Sequence, residues 1–355
     1  MKRGLEDIRL QFSSEKMKKE NYERSDGAEP DGQQYQNYWI NNKFNNFPVN
    51  KCFNAYKRDS PLEKCESQDF GFELERLNDT KVEYEFQEIG KGTFGTVYLG
   101  RCKNSDITIA VKAIKKQRIF YNQEFDIVRE GIAWRRASSH PHVVTFISSF
   151  ETNISYCFVC EYVKGENLTE FLEINGTLSE NQAKAIGAQL ASAIIYIHEK
   201  EIIHRDISSK NILIDQNNGA HLIDFGLCTF ERRPNDFCGT LFYLCPEILQ
   251  QKEYDAYCDW WAFGVVLYEI LVGRTPTNVY LEEVMTIEDF QTLPIAEKVK
   301  IVEQVELTYP FELPQDAKEI IQDLLQKNPE ERLTERRIEN HKFFDHVPWP
   351  IMPKN

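Results

Sequence analysis

The chain has 355 residues, 41% of them hydrophobic, and a formal net charge of -14. That length suits two domains of ordinary size, and the hydrophobic share excludes a wholly disordered or fibrous chain. An acidic balance of this size argues against a nucleic-acid binder, which must neutralise phosphates; it fits basic partners, cationic substrates or simply a solvated acidic surface.

Residues 1–80 are polar, charged and rich in Asn, as in "QNYWINNKFNNFPVN", and sustain no helical or strand period. An N-terminal extension that is disordered or loosely docked is therefore expected. Within it, "LEDIRLQFSSEKMKKE" has the spacing of one short amphipathic helix. The start lacks a signal-peptide core, and the longest apolar run, "WWAFGVVLYEILVG", is too short to span a bilayer. A soluble intracellular protein is expected, cytoplasmic or nuclear, without a membrane span and monomeric. The nine cysteines fit a reducing compartment. Cys157 and Cys160 have C-x-x-C spacing but sit in the apolar run "ISYCFVCEYV", which reads as two core thiols rather than half of a metal site.

Order begins near Tyr84. The stretch "YEFQEIGKGTFGTVYLGRC" predicts strand, glycine turn and strand, and "ITIAVKAIKK" a further strand. "QEFDIVREGIAWRRA" has helical spacing, and "VVTFISSFE" and "SYCFVCEYV" predict two more strands. From Gly165 onward the pattern is helical: Ser179 is placed to cap "ENQAKAIGAQLASAIIYIHEK", and later come "DWWAFGVVLYEILVG", "IAEKVKIVEQV" and "PQDAKEIIQDLLQK". This predicts an α+β chain with a small sheet lobe carrying one helix, residues 84–162, and a larger, mainly helical lobe, residues 163–347. A cleft between the lobes is the expected ligand site.

"GKGTFGTV" places Gly90, Gly92 and Gly95 at G-x-G-x-x-G spacing, with Val97 two residues on. Such glycines let backbone approach phosphate oxygens. A dinucleotide-binding turn would open a helix, whereas these glycines join two strands. A plain tight hairpin is the ordinary alternative. Lys112 ends "IAVK", and Glu130 in "DIVREGIAWRRA" is its candidate partner, with Glu124 as the lesser candidate. In "HRDISSKN", Asp206 is placed to accept a proton from a hydroxyl, and Asn211, five residues on, and Asp224, before Phe225-Gly226, supply the hard oxygen ligands that Mg²⁺ prefers.

These motifs resemble the eukaryotic protein kinases over residues 84–350, from the glycine loop through the strand lysine, H-R-D with its Asn, and D-F-G to Pro246-Glu247. Details are similar to the AGC group, relatives of protein kinases A and C: "DFCGTLFYLCPE", "DWWAFGVVLYEILVGRTP", and an end, residues 348–355, like the start of that group's C-terminal tail. The resemblance implies a bilobal fold, ATP and Mg²⁺ as cofactors, and phosphorylation of Ser or Thr in protein substrates. Gly90, Lys91, Gly92, Thr93, Phe94, Gly95, Val97 and Ala110 would line the nucleotide, and Lys112 would hold its α- and β-phosphates with Glu130 as partner. Cys160 would be the gatekeeper, and Glu161 to Val163 the hinge. Asp206 would be the catalytic base, aided by Thr240, with Asn211 and Asp224 on the metal ions. Arg332 would pair with Glu247.

Three places depart from that pattern. Ser208 stands where Ser/Thr kinases carry a lysine, and the basic residue is Lys210, as in many tyrosine kinases; Lys210 is expected to reach the γ-phosphate from its shifted position. Gly239-Thr240 and Tyr243 are of the Ser/Thr type. Asp236 takes the place of the group's phosphorylated Thr, and a carboxylate's single charge predicts partial pairing with Arg205 and activity without phosphorylation there. Lys210 and Asn167 replace two acidic residues that select basic substrates, although Glu166 and Glu269 remain, and Leu241-Phe242 replace the usual Pro-Glu platform. The alternatives are a pseudokinase acting as a scaffold, and a dual-specificity or tyrosine kinase.

Overall fold

The structure, a computed structural model, describes residues 9–11, 84–92, 95–103, 106–118 and 124–350. It divides into two compact units. Among the described residues one comprises 84–118 and 148–159, and the other comprises 9–11, 124–147 and 160–350. The expected α+β class is observed.

The first unit is built on antiparallel pairing of β2 (Tyr84–Lys91), β3 (Thr96–Cys102) and β4 (Thr108–Lys115). With β5 (Phe146–Glu151) and β6 (Ser155–Glu161), whose ends at 146–147 and 160–161 belong to the second unit, they form one sheet of order β2-β3-β4-β6-β5. One face gathers Tyr98, Ile109, Val111, Ala113, Phe150, Cys157 and Val159, mostly β-branched and aromatic residues that fit a pleated, half-buried surface. Cys157 and Cys160 are both buried, and a separation of three along a strand sends them to opposite faces. Side chains so directed do not converge on one ion, and no group of three or more His, Cys, Asp or Glu side chains placed to hold a metal occurs among the described residues.

In the second unit α1 is Glu124–Ala137, α2 Leu168–Asn175, α3 Glu180–Glu199, α4 Pro246–Leu249 and α5 Tyr257–Val272. Ser179 caps α3 as expected, within a reciprocal capping box: its hydroxyl accepts from Gln182 N, and its own N–H donates to Gln182 Oε1 at 3.1 Å. Helix α5 is buried nearly all round, which explains an apolar run of membrane-like character in a chain where no described helix is long and apolar enough to cross a membrane. It ends at Gly273, whose φ of 86° suits a residue without a Cβ. Further on, Gln315–Leu324 buries Ala317, Ile320, Ile321 and Leu324, one helical stripe.

Residues 124–147 cluster with the helical unit. The Trp134 ring of α1 stacks on Phe225 at 6.4 Å between centroids, and its indole N–H donates to Val144 O at 2.7 Å. A small sheet of β7 (Gly165–Asn167), β8 (Ile212–Asp215) and β9 (Ala220–Leu222) also lies in this unit. Gly165 is required there, since a Cβ would stand 1.9 Å from Ile214 O.

One expectation is corrected. Inside the stretch read as an amphipathic helix, Arg9–Gln11 is a strand, β1, paired antiparallel with β10 (Cys238–Thr240), Arg9 opposite Thr240. A short isolated helix is marginal in water, whereas the edge of β10 offers ready backbone partners. The rest of that stretch, the remainder of residues 1–83 and residues 351–355 lie outside the described residues. Of the C-terminal segment, Trp349 packs edge-on against Phe344, with ring centroids 5.2 Å apart.

Candidate active site

The loop from residue 203 to 211 is irregular, so its backbone groups need partners other than a helix or sheet ladder. Asp259, in the first turn of α5, supplies them: its carboxylate accepts from His204 N and Arg205 N, both at 2.8 Å, and from His198 Nε2 at 2.9 Å. Burial alone would raise the Asp259 carboxyl, but the hydrogen bond and charge of His198, with His204, hold it below the ordinary carboxylate value. Arg205 has φ 67°, an uncommon conformation for a residue with a Cβ, and these anchors hold it there.

Asp206 follows, 2% exposed. Thr240 Oγ1 donates to its Oδ1 at 2.7 Å, and Asn211 Nδ2 donates to its Oδ2 at 2.7 Å and to its backbone O at 2.8 Å. A carboxylate only accepts, so the Asn211 amide must present its nitrogen to Asp206 and turn its carbonyl oxygen away, as a metal ligand would. Asp224 is drawn alongside because Ile223 N donates to Asn211 O at 3.0 Å. At φ 65°, Asp224 accepts from Gly226 N at 3.2 Å, and Phe225, fully buried, packs its ring against His204 at 5.1 Å between centroids. The structure therefore brings Asp206, Thr240, Asn211 and Asp224 together.

In the sheet unit, register places Val97 opposite Lys112 and Leu99 opposite Ala110, with Gly90 opposite Val97 on the other side. Directly paired residues share a face, so Val97, Ala110 and Lys112 lie on the sheet face opposite the core of Tyr98 and Val111. Of the three glycines, Gly95 is fixed sterically: a Cβ would come within 2.4 Å of Ala113 O. At Gly90 and Gly92 the nearest atoms to a Cβ are 3.9 and 3.8 Å away, leaving room for a ligand. Lys91, which ends β2, is exposed; Thr93 and Phe94 lie outside the described residues.

Glu130 is buried on α1, and Cys160 is buried at the end of β6. Glu161 is braced to Thr145, accepting from Thr145 N at 2.9 Å and donating its own N–H to Thr145 O at 3.0 Å; Val163 is half-buried. Glu124 opens α1. Lys210 is exposed on the 3₁₀ turn Ser209–Asn211. Ser208, by contrast, is 1% exposed, and its hydroxyl has no hydrogen-bond partner among the described residues. Such a group costs about 1–3 kcal/mol unless something else satisfies it. Within the helical unit, the turned Asn211 amide beside Asp224 is a set of hard oxygen donors of the kind Mg²⁺ takes; within the sheet unit, the open glycines allow close approach of phosphate oxygens.

Around the acceptor side, Asn167 caps α2, accepting from Glu170 N at 3.0 Å, and Glu269 is buried, accepting from Tyr243 at 2.6 Å and Ser209 at 3.2 Å. Ser209 also hydrogen-bonds Thr169 at 2.6 Å. Leu241 is buried and Phe242 packs on Phe290. Arg332 meets Glu247 with two bonds, 2.8 and 3.0 Å, as the motif order implied. Sequence reasoning missed Asp259 and Ser209, whose roles are set by partners remote in sequence.

A family model for the protein kinase domain matches residues 84–344. The RAC serine/threonine-protein kinase of Drosophila melanogaster is 34% identical over 280 residues, 76% of this chain and 44% of that protein. The RAC-beta serine/threonine-protein kinase B of Xenopus laevis is 30% identical over 304 residues, 83% of this chain and 60% of that one. The chain thus spans less than two thirds of the length of either relative.

Proposed function

Because the chain belongs to the protein kinase family, with the resemblance to the AGC group upheld by the RAC-type relatives, we propose that it transfers the γ-phosphoryl group of ATP to Ser or Thr hydroxyls of protein substrates. The observation that carries this reading is the clamp on Asp206: Thr240 holds one carboxylate oxygen and Asn211 the other, each at 2.7 Å. A base so fixed has lone pairs left to accept the proton of a short hydroxyl side chain, and the Thr240 bond is of the Ser/Thr type. The relatives, named as serine/threonine-protein kinases, support the same specificity.

Asn211 and Asp224 hold the metal in this reading. Mg²⁺, when bound, neutralises charge on the β- and γ-phosphates. Lys112 holds the α- and β-phosphates, with Glu130 as its partner. Gly90, Gly92 and Gly95 bring backbone close to the phosphates, Val97 and Ala110 face adenine, and Cys160 with Glu161 to Val163 bounds it. Lys210 takes the γ-phosphate from its shifted place. Catalysis is then mostly positioning and electrostatic stabilisation.

The test is phosphoryl incorporation from Mg-ATP into a Ser/Thr/Tyr peptide library by wild type, Asp206→Asn and Lys210→Ala, with phosphoamino-acid analysis. Asp206→Asn should keep nucleotide affinity and lose about 10²–10⁴-fold in kcat. Equal rates for wild type and Asp206→Asn would mark a pseudokinase, phosphotyrosine would mark dual or tyrosine specificity, and full activity of Lys210→Ala would remove its assigned role.

A further inference from the structure

The segment from residue 227 to 240 runs from the Asp224 turn to Thr240, the residue that clamps Asp206. Its first residue, Leu227, and Asp236 near its far end are tied to one side chain. Arg205 Nε donates to Leu227 O at 2.6 Å, and Arg205 Nη1 donates to Asp236 Oδ2 at 3.2 Å and to Tyr254 OH at 3.1 Å. Tyr254 OH donates in turn to Asp236 O at 3.0 Å, and Tyr254 N to Pro234 O at 3.0 Å. The guanidinium is only 4% exposed and the Asp236 carboxylate 50%, so the acid comes from the solvent side to meet a buried cation. A closed circuit results: Asp206 to Arg205 along the chain, Arg205 to Asp236 by the ion pair, Asp236 to Thr240 along the chain, and Thr240 back to Asp206.

Helix α1 joins this cluster. Asp126 accepts from Arg129 Nη2 at 2.5 Å. Burial raises the Asp126 carboxyl, Arg129 and Arg205 lower it, and Asp236 raises it, so the two acids and two guanidinium groups share one neighbourhood and their formal charges cancel. Segments of this kind in kinases are commonly ordered by a phosphate that pairs with arginine. Here the hydroxyls in 227–240 are those of Thr229 and Thr240. They are 3% and 5% exposed and already engaged, Thr229 accepting from Glu231 N at 3.1 Å and Thr240 donating to Asp206.

We propose that Asp236 is a positioning residue, a built-in anion that holds residues 227–240 and the Asp206 clamp in place, so that phosphotransfer runs with the segment unphosphorylated. The proposal rests on the kinase reading above and assigns its regulation.

The experiment uses the full chain made in bacteria, treated with a broad-specificity phosphatase and verified by mass spectrometry as unmodified, assayed with Mg-ATP and the peptide library. Treated and untreated chains should run at the same rate. Asp236→Asn, near-isosteric and half exposed, should lower kcat about tenfold or more, the weight of one charge-assisted hydrogen bond, with KM for ATP and thermal midpoint little changed; Asp236→Glu should recover part of the loss. A treated chain that is inert overturns the proposal. If re-phosphorylation by a cell extract then restores activity, the kinase reading stands; if the chain is inert in both forms, that reading falls too. Asp236→Asn at the wild-type rate overturns the positioning role alone.

Discussion

The loop 203–211 and the strands flanking the glycine turn place their chemistry differently. In the loop the backbone is irregular, Arg205 sits at φ 67°, and beside Asn211 of the loop itself the key groups are held by side chains from elsewhere: Asp259 from α5, Thr240 from β10, Tyr254 beyond it. In the strands the backbone is regular, and Val97, Ala110 and Lys112 share a face because register and alternation put them there. The loop should therefore fail when one remote side chain is removed, whereas the strands should fail only where backbone itself is displaced.

Asp259→Ala puts the first half of that contrast to its hardest test. The change strands two buried N–H groups and the His198 ring. Removing a buried charge from its partners costs about 3–5 kcal/mol. Urea denaturation of the full chain should show that loss, and any folded fraction should have a kcat well below wild type, because Asp206 hangs on the same backbone. A loss below about 1 kcal/mol would mean that the loop is held by its own chain.

The glycine turn sharpens the second half. Gly95→Ala drives a Cβ to within 2.4 Å of Ala113 O, backbone on the neighbouring strand, and should cost about 1–3 kcal/mol. Gly92→Ala meets its nearest atom at 3.8 Å and should leave stability within about 0.5 kcal/mol while, on the proposed function, weakening Mg-ATP binding several-fold. Thermal denaturation and nucleotide titration of both variants separate the two roles. Equal effects on both readouts would show that the turn acts as a plain hairpin.

The same contrast explains what could be read from the sequence. Asp206, Asn211 and Asp224 could be picked out together because they fall within one short stretch, and the structure sets them side by side; Lys112 stood out only through the strand motif that carries it. The strand and helix periods gave the α+β class, and Ser179 announced its helix. Asp259 was not legible as an anchor: its partners lie more than fifty residues earlier, and nothing local to α5 reveals them. The strand at Arg9–Gln11 was misread because three residues carry no period and their pairing belongs to β10. Asn167 drew attention only as a replacement and Ser209 not at all, yet one caps a helix and the other joins Thr169, Tyr243 and Glu269, roles set by neighbours in space.

His204 offers the mildest and most quantitative probe of the loop. Its Nδ1 lies 3.3 Å from Asp206 N, which can only donate, so Nδ1 accepts and the proton sits on Nε2, 3.2 Å from Ile223 O. Burial holds the imidazole below its ordinary value, even though Asp259, Asp206 and Asp224 favour its charged form. The unfolded chain protonates this histidine below about pH 6.5 while the folded chain keeps it neutral, so the unfolded state binds the extra proton and stability rises with pH. The contribution is whole above about pH 6.5 and is lost as pH falls toward the folded value, by at most about 1.4 kcal/mol per pH unit for one group. His204→Tyr keeps a ring and an O–H to offer Ile223 O but cannot titrate there. Urea midpoints taken in steps from neutral to mildly acid pH should fall less steeply for the variant than for wild type. Identical slopes would place the acid sensitivity on histidines outside the loop, and the loop's dependence on a neutral His204 would be gone.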